Sequence, residues 1–178
     1  MTDNESTRPL LFLDVDGPLN PYGAPPHERP QGYVTHRMRP TGWEDPSTKP
    51  LRVWLDHRHG EQLLALPYQL VWATTWMNEA NEWIGPQLGL PELPFVDWPG
   101  ASLQTDTRLH WKTQALVAYA AGRPFAWVDD ELGPVDRDWV AAHGDSPALL
   151  HWVSPRLGLL PDDFATLARW AAGLRGEV

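Results

Sequence analysis

Two pairs of carboxylates stand where the chain leaves an apolar run. The first lies in Asp14-Val15-Asp16-Gly17, directly after Leu10-Leu11-Phe12-Leu13. Two acids at i and i+2 past a strand face one pocket when the chain curls, and Gly17 permits the curl. The second lies in Asp129-Asp130-Glu131, directly after Phe125-Ala126-Trp127-Val128. Adjacent carboxylates repel, so a pair held in a cleft calls for a cation to keep both ionised. Oxygen-only ligands suit magnesium, which keeps several waters and bridges to phosphate. Thr74-Thr75 closes a third apolar run, 69–73, with hydroxyls and N–H groups at a strand-to-helix turn, a place where anions bind. Lys112, in His110-Trp111-Lys112-Thr113, supplies the positive charge that a phosphate dianion needs. Singly, these are an acidic turn, a helix cap and a surface lysine. Together they suit metal-assisted phosphate chemistry.

Groups so far apart in sequence converge only if regular elements bring them together. The runs at 10–13, 69–73 and 125–128 read as buried parallel strands, each stopped by a polar residue. Two further runs, 93–96 (weakened by Pro94) and 148–153, bring the count to about five. Helix-like stretches lie between and after them, at 61–66, 78–88, 109–121, 135–143 and 162–174. Pro86 ends or bends the second, Gly122 stops the third, and acids occupy the first turn of the last. The alternation predicts one α/β domain over 1–178, a parallel sheet with helices on both faces. In such sheets ligands bind beyond the carboxyl ends of the strands, where Asp14, Thr74 and Asp129 stand. Residues 18–59 interrupt the order with eight prolines between Pro18 and Pro50. Alternation at 33–39 and again at 51–55 predicts a β-hairpin with a Pro-rich tip over 40–50, emerging just after Asp14 where it would cover whatever sits there.

Composition bounds the partners. The chain has 178 residues, 14 Lys+Arg against 23 Asp+Glu, a net charge of −9 and no cysteine. Thiol nucleophiles, disulfides and thiolate metal sites are thereby excluded. The acidic balance argues against broad nucleic-acid binding. No apolar run is long enough to cross a bilayer, and residues 1–9 form a polar tail without the apolar stretch of a secretory signal. A cytoplasmic protein is the expectation, and nothing in the sequence bears on its oligomeric state. The 11 tryptophans run from Trp43 to Trp170 and read mainly as packing residues, with Trp43 and Trp76 the ones placed to stack on a ligand. His57, His59, His110, His143 and His151 show no metal-ligand spacing. His36, Arg37 and Arg39 on the hairpin read either as a contact to a second anionic group or as a charged strand edge.

Taken in order, Asp14-Val-Asp16-Gly17, Val-Trp-Ala-Thr74, Lys112 and Ala-Trp-Val-Asp129-Asp130 resemble the four motifs of the haloacid dehalogenase-like (HAD) superfamily. The match spans most of the chain. The chain departs from the pattern after Gly17, where Pro18-Leu19-Asn20 replaces the usual Thr or Val. The resemblance implies a three-layer Rossmann-like sheet in which the run at 10–13 lies between those at 69–73 and 125–128, with Asp14 beside Asp129 and residues 18–59 at the place of the family's flap or minimal cap. It implies Asp14 as the nucleophile that forms an aspartyl-phosphate, and Asp16 as the acid and then the base. Magnesium would be held by Asp14, the Asp16 carbonyl and Asp129, with help from Asp130. Lys112 would steady the nucleophile and the phosphoryl group, and Thr74 would hold a phosphate oxygen, with Gly17 and the Thr75 N–H assisting. An acid at position 16 suits phosphoester hydrolysis, so the expected activity is a Mg2+-dependent phosphatase acting on a small phosphomonoester. The alternatives are a non-catalytic HAD-like binding module and a phosphatase acting on nucleotides or nucleic-acid ends.

Overall fold

Leu10–Leu13, all buried, form β1 at the centre of the molecule, and the remaining parallel strands assemble on either side of it. The computed structural model describes residues 8–98 and 108–176, so most of the polar tail expected over 1–9 lies outside them. The other strands are β2 (Val34–Met38), β3 (Leu51–Leu55), β4 (Gln69–Trp72), β5 (Phe125–Asp129) and β6 (Ala148–Trp152). Among the described residues five α-helices accompany them: α1 (Arg58–Leu64), α2 (Gly85–Leu88), α3 (Thr113–Ala120), α4 (Pro134–His143) and α5 (Pro161–Gly176). β4, β1, β5 and β6 lie side by side in that order, every pair parallel.

Alternation along β1 divides the core in two. Leu11 and Leu13 point into a cluster completed by Leu63 of α1 and by Phe164, Leu167 and Ala171 of α5. Leu10 and Phe12 point into a second cluster with Leu116 and Ala120 of α3 and Val140 of α4. The sheet is therefore covered on both faces, which is what a parallel sheet of continuous apolar strands requires. No helix among the described residues is long and apolar enough to cross a membrane.

The register positions the site. Leu13 pairs with Trp72 on one side and Val128 on the other. Past that level the Asp14 N–H still donates to the Val128 carbonyl (3.1 Å), and the Ala73 N–H to the Leu13 carbonyl (2.9 Å). Three strands thus release their chains at one height, placing Asp14, Thr74 and Asp129 along a single edge.

Three expectations meet a different outcome. The parallel sheet has four strands, and 93–96 joins its edge only through a Trp72–Phe95 bridge. Pro94 has no N–H to donate, so the ladder does not extend beyond that bridge. The stretch 78–88 divides into a π-helical turn, Ala80–Ile84, and the short α2, with Pro86 near the start of the latter. Helix α3 starts at Thr113 rather than 109, and the His110 N–H ahead of it is taken by the Asp136 carboxylate (2.7 Å).

Within 18–59, β2 and β3 pair antiparallel from Val34–Leu55 to Met38–Leu51. Met38, Val53 and Leu55 on one face of this ribbon pack into the first core cluster. α1 then approaches α2 so closely that a Cβ on Gly60 would overlap the Leu88 carbonyl oxygen. Gly60→Ala is therefore expected to cost about 1–3 kcal/mol of stability or more, read as a lowered urea midpoint. Gly173→Ala in α5, with nothing within 4 Å of the new methyl, should instead gain about 0.5–1 kcal/mol in the same assay.

Candidate active site

The deepest feature of the strand edge is a buried ammonium. The Lys112 Nζ donates to Asp14 Oδ2 at 2.7 Å and to Asp129 Oδ2 at 2.8 Å. Lys112 is 2% exposed and Asp129 not at all, so these charges have left water and depend on one another. The Trp127 indole N–H is a second donor to Asp129 Oδ2 (3.1 Å), while Asp129 Oδ1 accepts the Glu131 N–H (3.0 Å). Asp14 Oδ1 accepts the Val15 N–H at 2.7 Å. Burial is the largest influence on the Asp14 carboxyl and pushes it up to about 7; the Lys112 charge opposes this, and those of Asp129 and Asp16 add to it.

Around this core the remaining acids are each held by a donor. Asp16 accepts the Asn20 amide at 2.7 Å and the Trp76 indole N–H at 2.9 Å. Asp130 accepts the Tyr22 hydroxyl at 2.9 Å. The Asp130 carboxyl is raised above its ordinary range, first by burial, with the neighbouring Asp129 and Glu131 charges adding to the rise. The loops after β1 and β5 touch at Gly17, whose φ is +92° and where a Cβ would meet the Asp130 carboxyl carbon at 2.5 Å. Gly17 therefore serves the site by lacking a side chain. Carboxylate oxygens of Asp14, Asp129 and Asp130 lie within 4.8 Å of one another, a spacing that one hard cation can span.

A cleft of about 700 Å³ opens over these groups, lined by Asp14, Asp16, Asp130 and Lys112 among others. Thr75 lies on its wall, whereas Thr74 is buried beneath, its hydroxyl accepting the Trp76 N–H at 3.3 Å. Of this pair, then, Thr75 is the one presented to the cleft. Asp129 does not line it, and its carboxylate meets the lining residues Lys112 and Glu131 from beneath. On the hairpin, Arg39 is spent on the tip's own carbonyls, Trp43 (3.1 Å), Asp45 (2.7 Å) and Thr48 (3.1 Å). His36 turns to His57, Nε2 to Nε2 at 3.1 Å.

Sequence reasoning missed Asn20, Tyr22 and Asp136. Asp136 is 3% exposed; its Oδ1 accepts the His110 N–H and the Thr113 hydroxyl, both at 2.7 Å, and its Oδ2 the Gly133 N–H at 2.9 Å. It thereby fixes the segment that carries Lys112 against the start of α4. The one visible signal was its place three residues after Gly133, at the head of a helix.

Removing the ammonium from between two buried carboxylates is the most disruptive change this site admits. Lys112→Met should cost about 3–5 kcal/mol in urea unfolding at neutral pH without divalent cations. The raised Asp14 carboxyl has a separate signature. Folded protein keeps this proton up to about 7, while the unfolded chain releases it near 3.8. The folded state therefore binds more protons across that window, and stability falls as pH rises through it. Asp14→Asn should flatten that fall, compared by urea midpoints at about pH 5 and about pH 8 in metal-free protein. Comparison of the chain with protein-family models, curated proteins and solved structures finds no match.

Proposed function

We propose that the protein is a Mg2+-dependent phosphohydrolase of the HAD type, acting on a phosphomonoester through an aspartyl-phosphate. The observation that carries this reading is the Lys112 ammonium held by both Asp14 and Asp129 at the carboxyl ends of adjacent parallel strands, with Asp130 alongside. The order of the strands is the one the resemblance implies, with β1 between β4 and β5.

The carboxylates of Asp14, Asp129 and Asp130, with the Asp16 carbonyl, are the groups that would hold the ion. When bound, Mg2+ supplies positive charge that keeps the acids ionised and neutralises the phosphoryl oxygens. Asp14 is the nucleophile: one of its oxygens attacks phosphorus as the ester oxygen departs. Lys112 keeps the Asp14 carboxylate oriented and opposes the charge that accumulates on the phosphoryl group. Asp16 lines the cleft and gives a proton to the leaving oxygen, then takes one from the water that attacks the acyl phosphate. Asn20 and Trp76 fix both of its oxygens from the protein side, so its orientation does not depend on substrate. Thr75 is the hydroxyl placed to bind a phosphate oxygen. These are positioning and charge effects, which dominate phosphoryl transfer.

The test is hydrolysis of para-nitrophenyl phosphate with Mg2+, with chelator, and with Asp14→Asn. Turnover should require the metal and fall at least about a thousandfold in the variant. Asp16→Asn should lower kcat by about 10²- to 10⁴-fold. Mg2+ binding without turnover on a broad panel of phosphomonoesters would favour a binding role for the same site. Absence of both would overturn the reading.

A further inference from the structure

The far wall of the cleft carries a second feature that the phosphoryl chemistry does not use. Arg52 of β3 lines the cleft, and in the antiparallel ladder it stands directly opposite Arg37 of β2. Residues directly opposite share a face, with Cβ atoms about 4.5–5.5 Å apart, and like charges so placed repel. Neither guanidinium has a carboxylate partner among the described residues, in a chain with 23 acids. Arg39, the next cation on the same strand edge, is by contrast saturated by three carbonyls. The other cation lining the cleft, Lys112, is occupied between Asp14 and Asp129. Arg52 thus stands on the cleft wall without a counter-charge, with the like-charged Arg37 beside it in the ladder, and is set for an anion that arrives from outside.

Arg52 is also held in place. Its guanidinium carbon lies 3.8 Å from the centroid of the Trp54 ring. Trp54 is buried and anchored at both ends, its indole N–H donating to the Thr35 hydroxyl (2.9 Å) and its backbone N–H to the Asn20 side-chain carbonyl (3.0 Å). The same Asn20 donates to Asp16 at 2.7 Å. The position of Arg52 is thus fixed relative to Asp16 through two buried side chains. Only one further contact engages its guanidinium, a 3.4 Å approach to the Pro26 carbonyl, which leaves most of its donors unspent. A rigid guanidinium matches phosphate geometry with two parallel hydrogen bonds, and stacking on an aromatic ring lowers the entropy lost on binding.

We infer that Arg52, with Arg37 beside it, is the specificity-determining element of the cleft and binds a second phosphate on the leaving group, so that the preferred substrates are small bisphosphorylated molecules. The inference rests on the phosphohydrolase reading for the first phosphate, but its test reads binding and does not need turnover.

Calorimetric titration in the presence of Mg2+ compares 2,3-bisphosphoglycerate with 3-phosphoglycerate, and fructose 1,6-bisphosphate with fructose 6-phosphate. The second phosphate should tighten Kd by roughly tenfold to a hundredfold in at least one pair. Arg52→Gln should remove most of that gain, and Arg37→Gln with Arg52→Gln all of it, while Arg52→Lys should retain part. Arg37 is exposed, so Arg37→Gln alone keeps the test available if the change at Arg52 disturbs Trp54. A gain absent from both pairs, or one that persists in the double variant, would overturn the inference. Tight bisphosphate binding together with no hydrolysis of para-nitrophenyl phosphate would instead sustain the anion site and count against the catalytic reading.

Discussion

The interaction on which the molecule turns is the buried contact of one ammonium with two carboxylates. Lys112 arrives from the segment before α3, Asp14 from the end of β1 and Asp129 from the end of β5. Taking such charges out of water costs several kcal/mol per ion, and only close geometry with further hydrogen bonds offsets it. The chain supplies that geometry twice over. The parallel register brings the two acids level, and Asp136 locks the Lys112 segment in reach of both. One positive charge still faces two negative ones in a dry setting, and burial above all holds the Asp14 carboxyl above its ordinary range. A divalent cation would relieve the imbalance, which gives the site an electrostatic use for one.

Asn20 shows how the insertion after β1 is tied to that centre. Its amide holds Asp16, its carbonyl accepts the Trp54 backbone N–H, and its own backbone carbonyl accepts the N–H groups of Gly17 (2.9 Å) and Tyr22 (2.7 Å). A single buried side chain therefore connects the acid of the first motif to the β2–β3 ribbon. Pro18 and Leu19, where the chain departs from the HAD pattern, belong to this turn. The Pro18 carbonyl accepts the Leu159 N–H at 2.8 Å, and Leu19 is fully buried in the core. The altered turn keeps both aspartates at the strand end while joining the insertion to the loop after β6. A second connection closes over the cleft, where the Thr41 N–H at the hairpin tip donates to the Glu79 carboxylate (2.7 Å).

The elements that bear the acids were legible because buried parallel strands leave an unmistakable sequence trace, four or five apolar residues cut short by a polar one. Leu10–Leu13 and Phe125–Asp129 are of this kind, and Asp14 and Asp129 followed from them. The ladder at 33–39 and 51–55 was legible from its two-residue alternation. Pattern alone said less about the hydroxyl. Consecutive residues leaving a strand point opposite ways, and whether Thr74 or Thr75 faces the cleft depends on where the twist ends. The run at 93–96 failed as a strand because one proline outweighs several apolar neighbours when a ladder needs each N–H. Asn20, Tyr22 and the Arg37–Arg52 pair were hidden for another reason. Their meaning comes from loop closure and cross-strand register, which no local window contains.

Sequence distance gives the centre a temporal character. The Lys112–Asp14 contact spans 98 residues and the Tyr22–Asp130 contact spans 108. Contacts this remote require most of the chain-entropy cost of folding to be met before they form. During synthesis the first carboxylates emerge long before the lysine that neutralises them, and no amino-terminal fragment ending before Lys112 holds the set. The assembled site therefore arrives only with the completed fold, and a partly made or partly opened chain carries the acids without the lysine between them.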